Sequence, residues 1–391
     1  MRLQLERPAA LGVRRGHPWV YREGIAPRRS GQPGPSGTSV EVTDEKGEIL
    51  GRGLWDAESP IAIRMFEPGA GPKIDARSIT KRIEAALARR DGRFDQKTTA
   101  YRLVNGEGDR VPGLVIDRYG EVAVVRLDTT ALEPHLGAIV EALAKPLGAR
   151  GVRSIAKRLA GDRGGKKIEG LRGPPPPDRI DIVERGMTME VDLAHGQKTG
   201  AFLDQRESRA KVRELSRGRA RVLNLFSYAG GFSIAAALGG AGKVTSVDIA
   251  SGAHATAQKT FRKNDVDPGA HGFVTADAFA FLEKAEGRGE RFELVVCDPP
   301  SFAPSEKAKP KALAAYRKLH GAAARLVAEG GVFCASSCSS HVTAEDFAGT
   351  LDDAALGRSD LSLVELFGQP EDHPTLPAWP EGRYLKFAVL R

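Results

Sequence analysis

An apolar run, Val222-Leu223-Asn224-Leu225-Phe226, passes directly into Ser227-Tyr228-Ala229-Gly230-Gly231-Phe232 and a helix-forming stretch over 233–238. After Gly239 to Gly242, a second apolar run over 243–248 ends in Asp248. Strand, glycine turn, helix, strand and acid in this order constrain the chain strongly, because such elements join in one sheet as a right-handed parallel crossover. The pattern continues: residues 273–277 end in Asp277, and residues 292–298 end in Asp298. Parallel strands would bring these three carboxylates to one sheet edge, where open α/β sheets bind their ligands. Gly230 and Gly231 lack Cβ atoms and would let backbone approach a ligand closely. Asp248, 18 residues beyond Gly230, is placed to accept from ribose hydroxyls. The glycines do not follow the Gly-x-Gly-x-x-Gly spacing of a pyrophosphate cradle, which points to a nucleoside without phosphates. A plain crossover with a capping turn would explain one such loop, but it does not require three successive acid-ended strands.

The 391 residues exceed what one core organises, roughly 250 to 300, so several domains are expected. Residues 1–30 carry seven arginines against Glu6 and Glu23, and a turn-rich run over 30–37 follows. Alternating stretches at 40–43, 49–53 and 61–66 predict a small β-rich module. From Ile74 the period becomes helical. Residues 114–127 read as two strands about Tyr119-Gly120, 136–147 as a helix and 152–155 as a strand; loops follow at 163–167 and 173–177. Domains are thus expected at 1–72, 73–185 and 186–391. The formal charge of +8 suits a polyanionic partner. The basic start reads either as a solvated face or as a phosphate-tracking surface whose binding weakens steeply with salt, and eleven Lys and Arg against five acids over 145–185 would extend that surface. No run approaches the ~20 apolar residues of a membrane span, and no apolar leader segment opens the chain, so a cytoplasmic protein is expected. Three cysteines without paired spacing argue against a disulfide scaffold or zinc ribbon, and eight scattered histidines suggest no metal site.

Two segments carry candidate chemistry. In Asp298-Pro299-Pro300-Ser301-Phe302 the prolines remove two amide donors and leave carbonyls that could accept from an exocyclic amine, with Phe302 as a stacking face. Cys297 and Cys334 lie inside apolar strands and read as small core residues. Cys338, in Ser337-Cys338-Ser339-Ser340-His341, falls past a strand among small polar residues. Its thiolate could add to C6 of a pyrimidine and turn C5 into a carbon nucleophile for a methyl electrophile; a base must then remove the C5 proton. His341, a lone histidine in a turn, reads as structural.

With these motifs in this order, the chain resembles class I S-adenosylmethionine-dependent methyltransferases. More closely, it resembles the bacterial 23S ribosomal RNA cytosine-5 methyltransferases that carry an N-terminal PUA-like domain. Gly16-His17-Pro18-Trp19-Val20-Tyr21, residues 101–109 and 112–118, His195-Gly196-Gln197-Lys198-Thr199-Gly200-Ala201-Phe202-Leu203-Asp204-Gln205-Arg206 and Tyr384-Leu385-Lys386 carry the likeness. The resemblance implies an α/β fold: a Rossmann-like catalytic domain with a mixed seven-stranded sheet, after a PUA-like domain and a central α+β domain. It implies S-adenosylmethionine as cofactor, with S-adenosylhomocysteine as product, and Phe226, Tyr228, Gly230, Asp248, Asp277 and Asp298 lining the pocket. Lys198, Thr199, Phe202 and Arg206 would close over its methionine end. It implies Cys338 as nucleophile with Asp298 in the catalytic set, and Pro299, Pro300 and Phe302 at the base. Ser301 stands where related enzymes have a second cysteine. The implied partner is RNA, 23S ribosomal RNA or a large-subunit precursor, with no membrane; self-pairing as a homodimer is left open. Two other readings remain: an exocyclic-amine RNA methyltransferase, and a non-catalytic RNA-binding assembly factor.

Overall fold

The computed structural model describes residues 1–26, 34–159, 167–196 and 198–391. Residues 30–33 and 163–166 of the two expected loops, and Gln197, lie outside the described residues. The chain forms two compact units: Met1–Val183 with Val191–Leu203 and Glu371–Gly382, and Glu184–Glu190 with Asp204–Pro370 and Arg383–Arg391. Neither is a continuous stretch of sequence.

The first unit holds two five-stranded sheets. One is ordered Arg2–Gln4, Ser39–Thr43, Ile49–Trp55, Ile61–Pro68, Trp19–Tyr21. The short strands at Arg2–Gln4 and Trp19–Tyr21 and the helix Arg7–Arg14 fall in the basic start, where charge masks the apolar period. The other sheet is ordered Ile168–Arg172, Ser154–Arg158, Val122–Leu127, Leu114–Tyr119, Ala100–Asn105. Helices Ala76–Ala88 and Leu136–Ala149 supply Ile79, Ile83, Leu87, Ile139 and Leu143 to its core. Asp117 is fully buried on the strand Leu114–Tyr119, gripped by Arg102 Nε and Nη2 at 2.8 and 2.9 Å.

The expected continuous basic surface is thinned by pairing. Arg28 and Arg29 lie outside the described residues. Arg2 pairs with Glu41 at 2.6 Å, Arg14 with Asp44 at 2.7 Å and Glu48 at 2.6 Å, and Arg22 donates to the carbonyls of Asp56 and Ser59. Farther on, Arg150, Arg153, Lys157, Arg172 and Arg179 meet Asp91, Glu121, Glu133, Glu141 and Asp192. A phosphate would have to compete with these carboxylates.

The second unit contains, in chain order, α1 (Arg206–Leu215), β1 (Arg221–Leu225), α2 (Gly231–Leu238), β2 (Lys243–Asp248), α3 (Ser251–Lys263), β3 (Gly272–Thr275) and α4 (Ala278–Gly287). Then come β4 (Phe292–Cys297), α5 (Lys309–Ala324), β5 (Val327–Ser337), α6 (Ala344–Ala348), α7 (Asp353–Leu356), β6 (Leu363–Phe367) and β7 (Lys386–Leu390). The seven strands lie in the order β3-β2-β1-β4-β5-β7-β6, with β7 antiparallel to both neighbours and the first five parallel. The central strands β1, β4 and β5 are covered on both faces, so they are largely apolar and successive residues enter opposite cores. Leu223, Leu225, Val295, Cys297, Phe333 and Ala335 enter one core; Val222, Leu294, Val296, Val332 and Cys334 enter the other. Cys297 and Cys334 are core residues, as their apolar setting predicts, and burial pushes both thiols well up. Among the described residues no helix is long and apolar enough to cross a membrane.

One core residue couples this unit to pH. His320 on α5 is fully buried, its Nδ1 3.0 Å from Thr350 Oγ1, and burial pushes its imidazolium down to about 4. Unfolding frees it to titrate near 6.5, so below that pH the unfolded chain binds the extra proton. Its stabilising effect is complete above about 6.5 and falls by about 1.4 kcal/mol per pH unit down to about 4. Urea midpoints followed from neutral to acid pH should fall less steeply in His320→Leu than in the natural chain; parallel curves would contradict this assignment.

Candidate active site

Strand register brings the carboxyl ends of β3, β2, β1 and β4 to one edge. Leu225 lies level with Val247 and with Cys297, and Asp248 with Thr275. Asp248 ends β2, Asp277 follows β3 as the N-cap of α4, and Asp298 follows β4. The three acids therefore share the edge, as their sequence positions predict.

Between β1 and α2 the chain turns through three left-handed residues, Phe226 (φ 55°), Tyr228 (φ 45°) and Gly230 (φ 78°). Two of them carry side chains, a strain of order 1–3 kcal/mol each that surrounding bonds must hold. Ser227 N–H donates to Val247 O at 3.0 Å and Tyr228 N–H to Asp248 Oδ2 at 2.8 Å. Asp248 Oδ1 accepts from Ala250 N–H at 2.8 Å. Beneath the turn, Ser233 Oγ accepts from Asn224 Nδ2 at 2.9 Å and from Ser246 Oγ at 2.7 Å, tying α2 to β1 and β2. Asp248 thus shapes the turn with one lone pair of each oxygen, leaving the others for a ligand hydroxyl.

Gly230 is required from within the protein. A Cβ there would sit 2.7 Å from Ala257 Cβ on α3, besides adopting a left-handed φ. Gly230→Ala should destabilise the second unit by about 2 kcal/mol or more, through the clash and the backbone. Thermal unfolding would show this; an unchanged melting temperature would mean that the turn tolerates a side chain.

Two exposed apolar side chains flank the edge, Tyr228 (38 % exposed) and Ile249 (75 %). Ile249 was not legible beforehand, since one apolar residue after a strand reads as part of the strand. Gln205, also outside the expected set, spans the edge: its Nε2 donates to Asp298 Oδ1 at 2.9 Å and Ser336 Oγ at 3.0 Å. Gln205 Oε1 and Ser227 Oγ are buried without a hydrogen-bond partner. Unpaired buried acceptors are costly, and a ligand that donates would satisfy them. Three carboxylates, an orphan carbonyl and exposed apolar surface suit a ligand with hydroxyl and ammonium donors, a positive charge and an aromatic base.

Pro299 is buried and Pro300 exposed. Ser301 Oγ lies 2.9 Å from Ser339 Oγ, and Tyr316 OH on α5 donates to Ser337 Oγ at 3.0 Å and lies 3.2 Å from Ser339 Oγ. The Phe302 ring packs against Tyr316 with centroids 4.8 Å apart, so one of its faces is occupied by the core. Cys338 directly follows β5 and is half-buried, whereas Cys297 and Cys334 are buried. From β7, Lys386 Nζ donates to the carbonyls of Ser339 at 2.6 Å, Val342 at 2.7 Å and Tyr384 at 2.8 Å. Burial pushes its ammonium down to about 8, and the charge of Cys338 acts against that fall.

The remaining expected residues divide between the units. Arg206 opens α1, buried, with Nε 3.2 Å from Glu207 Oε1. Lys198, Thr199 and Phe202 belong to the first unit. The Lys198 ammonium sits 4.6 Å from the Phe202 ring centroid. Thr199 is fully buried, its hydroxyl bonded to Asp117 and, at 2.8 Å, to Tyr119 OH. That hydroxyl is accounted for by its own unit's core.

The profile of S-adenosylmethionine-dependent methyltransferases matches residues 149–386. The chain belongs to this family. A PUA-like domain profile matches residues 3–68. Over its whole length the methyltransferase is 38 % identical to the ribosomal RNA large subunit methyltransferase of Deinococcus radiodurans, covering 97 % of that protein. It is likewise 35 % identical to ribosomal RNA large subunit methyltransferase I of Escherichia coli, covering 99 % of it. A solved methyltransferase complexed with SAH superposes with TM-score 0.88 at 25 % identity, covering 100 % of this chain and 99 % of that one. The fold is a Rossmann-like methyltransferase fold with an N-terminal PUA-like domain, and S-adenosylmethionine is the cofactor. The acceptor-rich edge fits it: ribose hydroxyls and ammonium can donate to the carboxylates and Gln205 Oε1.

Proposed function

We propose that this methyltransferase acts on the large-subunit ribosomal RNA, 23S in a bacterium, and transfers the methyl group to C5 of a cytosine through a covalent Cys338 adduct. The RNA class is supported by the large-subunit methyltransferases that match the chain end to end. The observation that carries the chemistry is the half-buried thiol at the end of β5, next in the sheet to the strand that delivers Asp298.

When bound, S-adenosylmethionine supplies an electrophilic methyl group and leaves as S-adenosylhomocysteine. Cys338 Sγ, as thiolate, forms a bond to C6 of the cytosine, and the displaced electron pair makes C5 nucleophilic. After C5 acquires the methyl group, a base takes the C5 proton, the C5–C6 double bond re-forms and the thiolate leaves. Asp298 and its Gln205 bridge orient the reacting groups. Pro299, Pro300 and Phe302 shape the base site. The cofactor set we propose is drawn from the second unit: Gln205, Arg206, Phe226, Tyr228, Gly230, Asp248, Ile249, Asp277 and Asp298. Residues 1–72 would then serve as the RNA-binding module, 73–185 as the central domain and 186–391 as the catalytic domain.

The test is transfer of labelled methyl groups to ribosomal RNA that lacks the modification, followed by nucleoside analysis. Label in 5-methylcytidine is expected. Label in an exocyclic-amine product would replace this reading, and binding of RNA without transfer would favour the assembly-factor reading.

A further inference from the structure

The turn carrying Cys338 is held from an unexpected side. Lysine is rarely buried without a carboxylate partner. Lys386 is 3 % exposed, and its three N–H donors go to three carbonyls, two of them, Ser339 and Val342, in the turn just after Cys338. Three donors are what an ammonium has, and a neutral amine has two, so this geometry selects the charged form. Lys386 lies opposite Ser337 in the sheet and donates to Ser339 O, the residues on either side of Cys338, while Tyr316 OH meets the hydroxyls of the same two serines.

We propose that Lys386 is a positioning residue for Cys338: its ammonium holds the Ser339–Val342 turn and supplies the positive charge that stabilises the thiolate. The proposal deepens, and rests on, the reading of Cys338 as nucleophile. A nearby cation favours an ionised thiol, and attack on C6 requires that form. Among the described residues, the other ionisable groups placed near this turn by the fold are neutral, negative or already matched. Tyr316 comes from α5 as a neutral hydroxyl donor, and burial holds its phenol up. Asp346 on α6 is matched by Lys309 at 2.6 Å, His341 lies 3.4 Å from Glu306, and Asp298 after β4 is negative. Burial brings Lys386 down to about 8, so it is charged at neutral pH and its support fades as pH rises past that value.

The test reads the thiol without methyl transfer. Cys297 and Cys334 are buried, so iodoacetamide should label Cys338 first in the folded full-length chain. Its labelling rate is followed against pH, by mass of the Cys338 peptide, in the natural chain, in Lys386→Gln, which keeps donors without charge, and in Lys386→Met. Half-maximal reactivity should move up by about one pH unit or more in both variants, a loss of about tenfold in thiolate near neutral pH. A folded Lys386→Gln chain with the natural profile would overturn the proposal. Should neither variant fold, the natural chain decides it: half-maximal reactivity must lie below the free-thiol value of about 8.5, and a value at or above it overturns the proposal. These outcomes are separable from failure of the nucleophile reading, which would appear as methyl transfer surviving Cys338→Ala whatever the labelling shows.

Discussion

Cys338→Ala should reduce methyl transfer by on the order of 10³-fold or more while leaving S-adenosylmethionine affinity within about twofold of the natural value. The two halves of this result have separate structural causes. The proposed cofactor edge is built by β1, β2, β3 and β4 with the 226–230 turn, and the hydrogen bonds that shape it run from Tyr228 and Ala250 N–H to Asp248 and from Gln205 to Asp298. Without the thiolate, cytosine C5 has no means of becoming nucleophilic, so the chemical step is lost and not merely weakened. Rapid single-turnover transfer and equilibrium cofactor binding, measured on one preparation, separate the two effects. Retained transfer in a folded variant would shift the account to attack by an exocyclic amine.

The second large effect is on stability, in the first unit. Asp117 is fully buried, and Arg102 grips both its oxygens while Thr199 donates to Oδ2. The Arg102 guanidinium holds this carboxyl below the usual range despite its burial. Asp117→Ala removes the carboxylate that Arg102 grips with two hydrogen bonds in the buried core, which should cost about 3–5 kcal/mol. Arg102→Met combined with Asp117→Leu removes both charges and should cost clearly less than the two single changes summed, because the single changes lose the same pair of bonds. Urea unfolding of the four chains measures this coupling; additive losses would mean that the pair acts as two independent contacts.

What was legible in the sequence was whatever depends on local pattern. Apolar runs ended by Asp248, Asp277 and Asp298 mark parallel strands of one sheet, and the register brings their ends together. Cys338 could be told from Cys297 and Cys334 because it falls outside an apolar period. What was not legible depends on distant partners. Gln205 meets Asp298 across 93 positions, and nothing around Gln205 signals the bond. A lysine in a final strand reads as an edge residue, and only the fold shows Lys386 buried beneath the turn 44 to 47 positions before it. The role of Gly230 was legible as a need for glycine, but its cause, the approach of Ala257, required α3 to be in place. At the basic start, the arginines suggest a surface for phosphates, whereas Arg2 and Arg14 find carboxylates some 30 to 40 residues away. Residues 371–382 gave no sign that they return to the first unit, because their ties, such as Asp372 accepting from Arg102 N–H, span 270 positions.

A bond between Cys338 Sγ and cytosine C6 can be trapped. Large-subunit ribosomal RNA containing 5-fluorocytidine, incubated with the protein and S-adenosylmethionine, cannot lose a C5 proton and should accumulate a complex stable to denaturing electrophoresis. The account predicts this complex for the natural chain, with the RNA fragment mapped to the Cys338 peptide, and none for Cys338→Ala. A natural chain that methylates unmodified RNA yet forms no such complex, or one that forms it through another residue, would contradict the account.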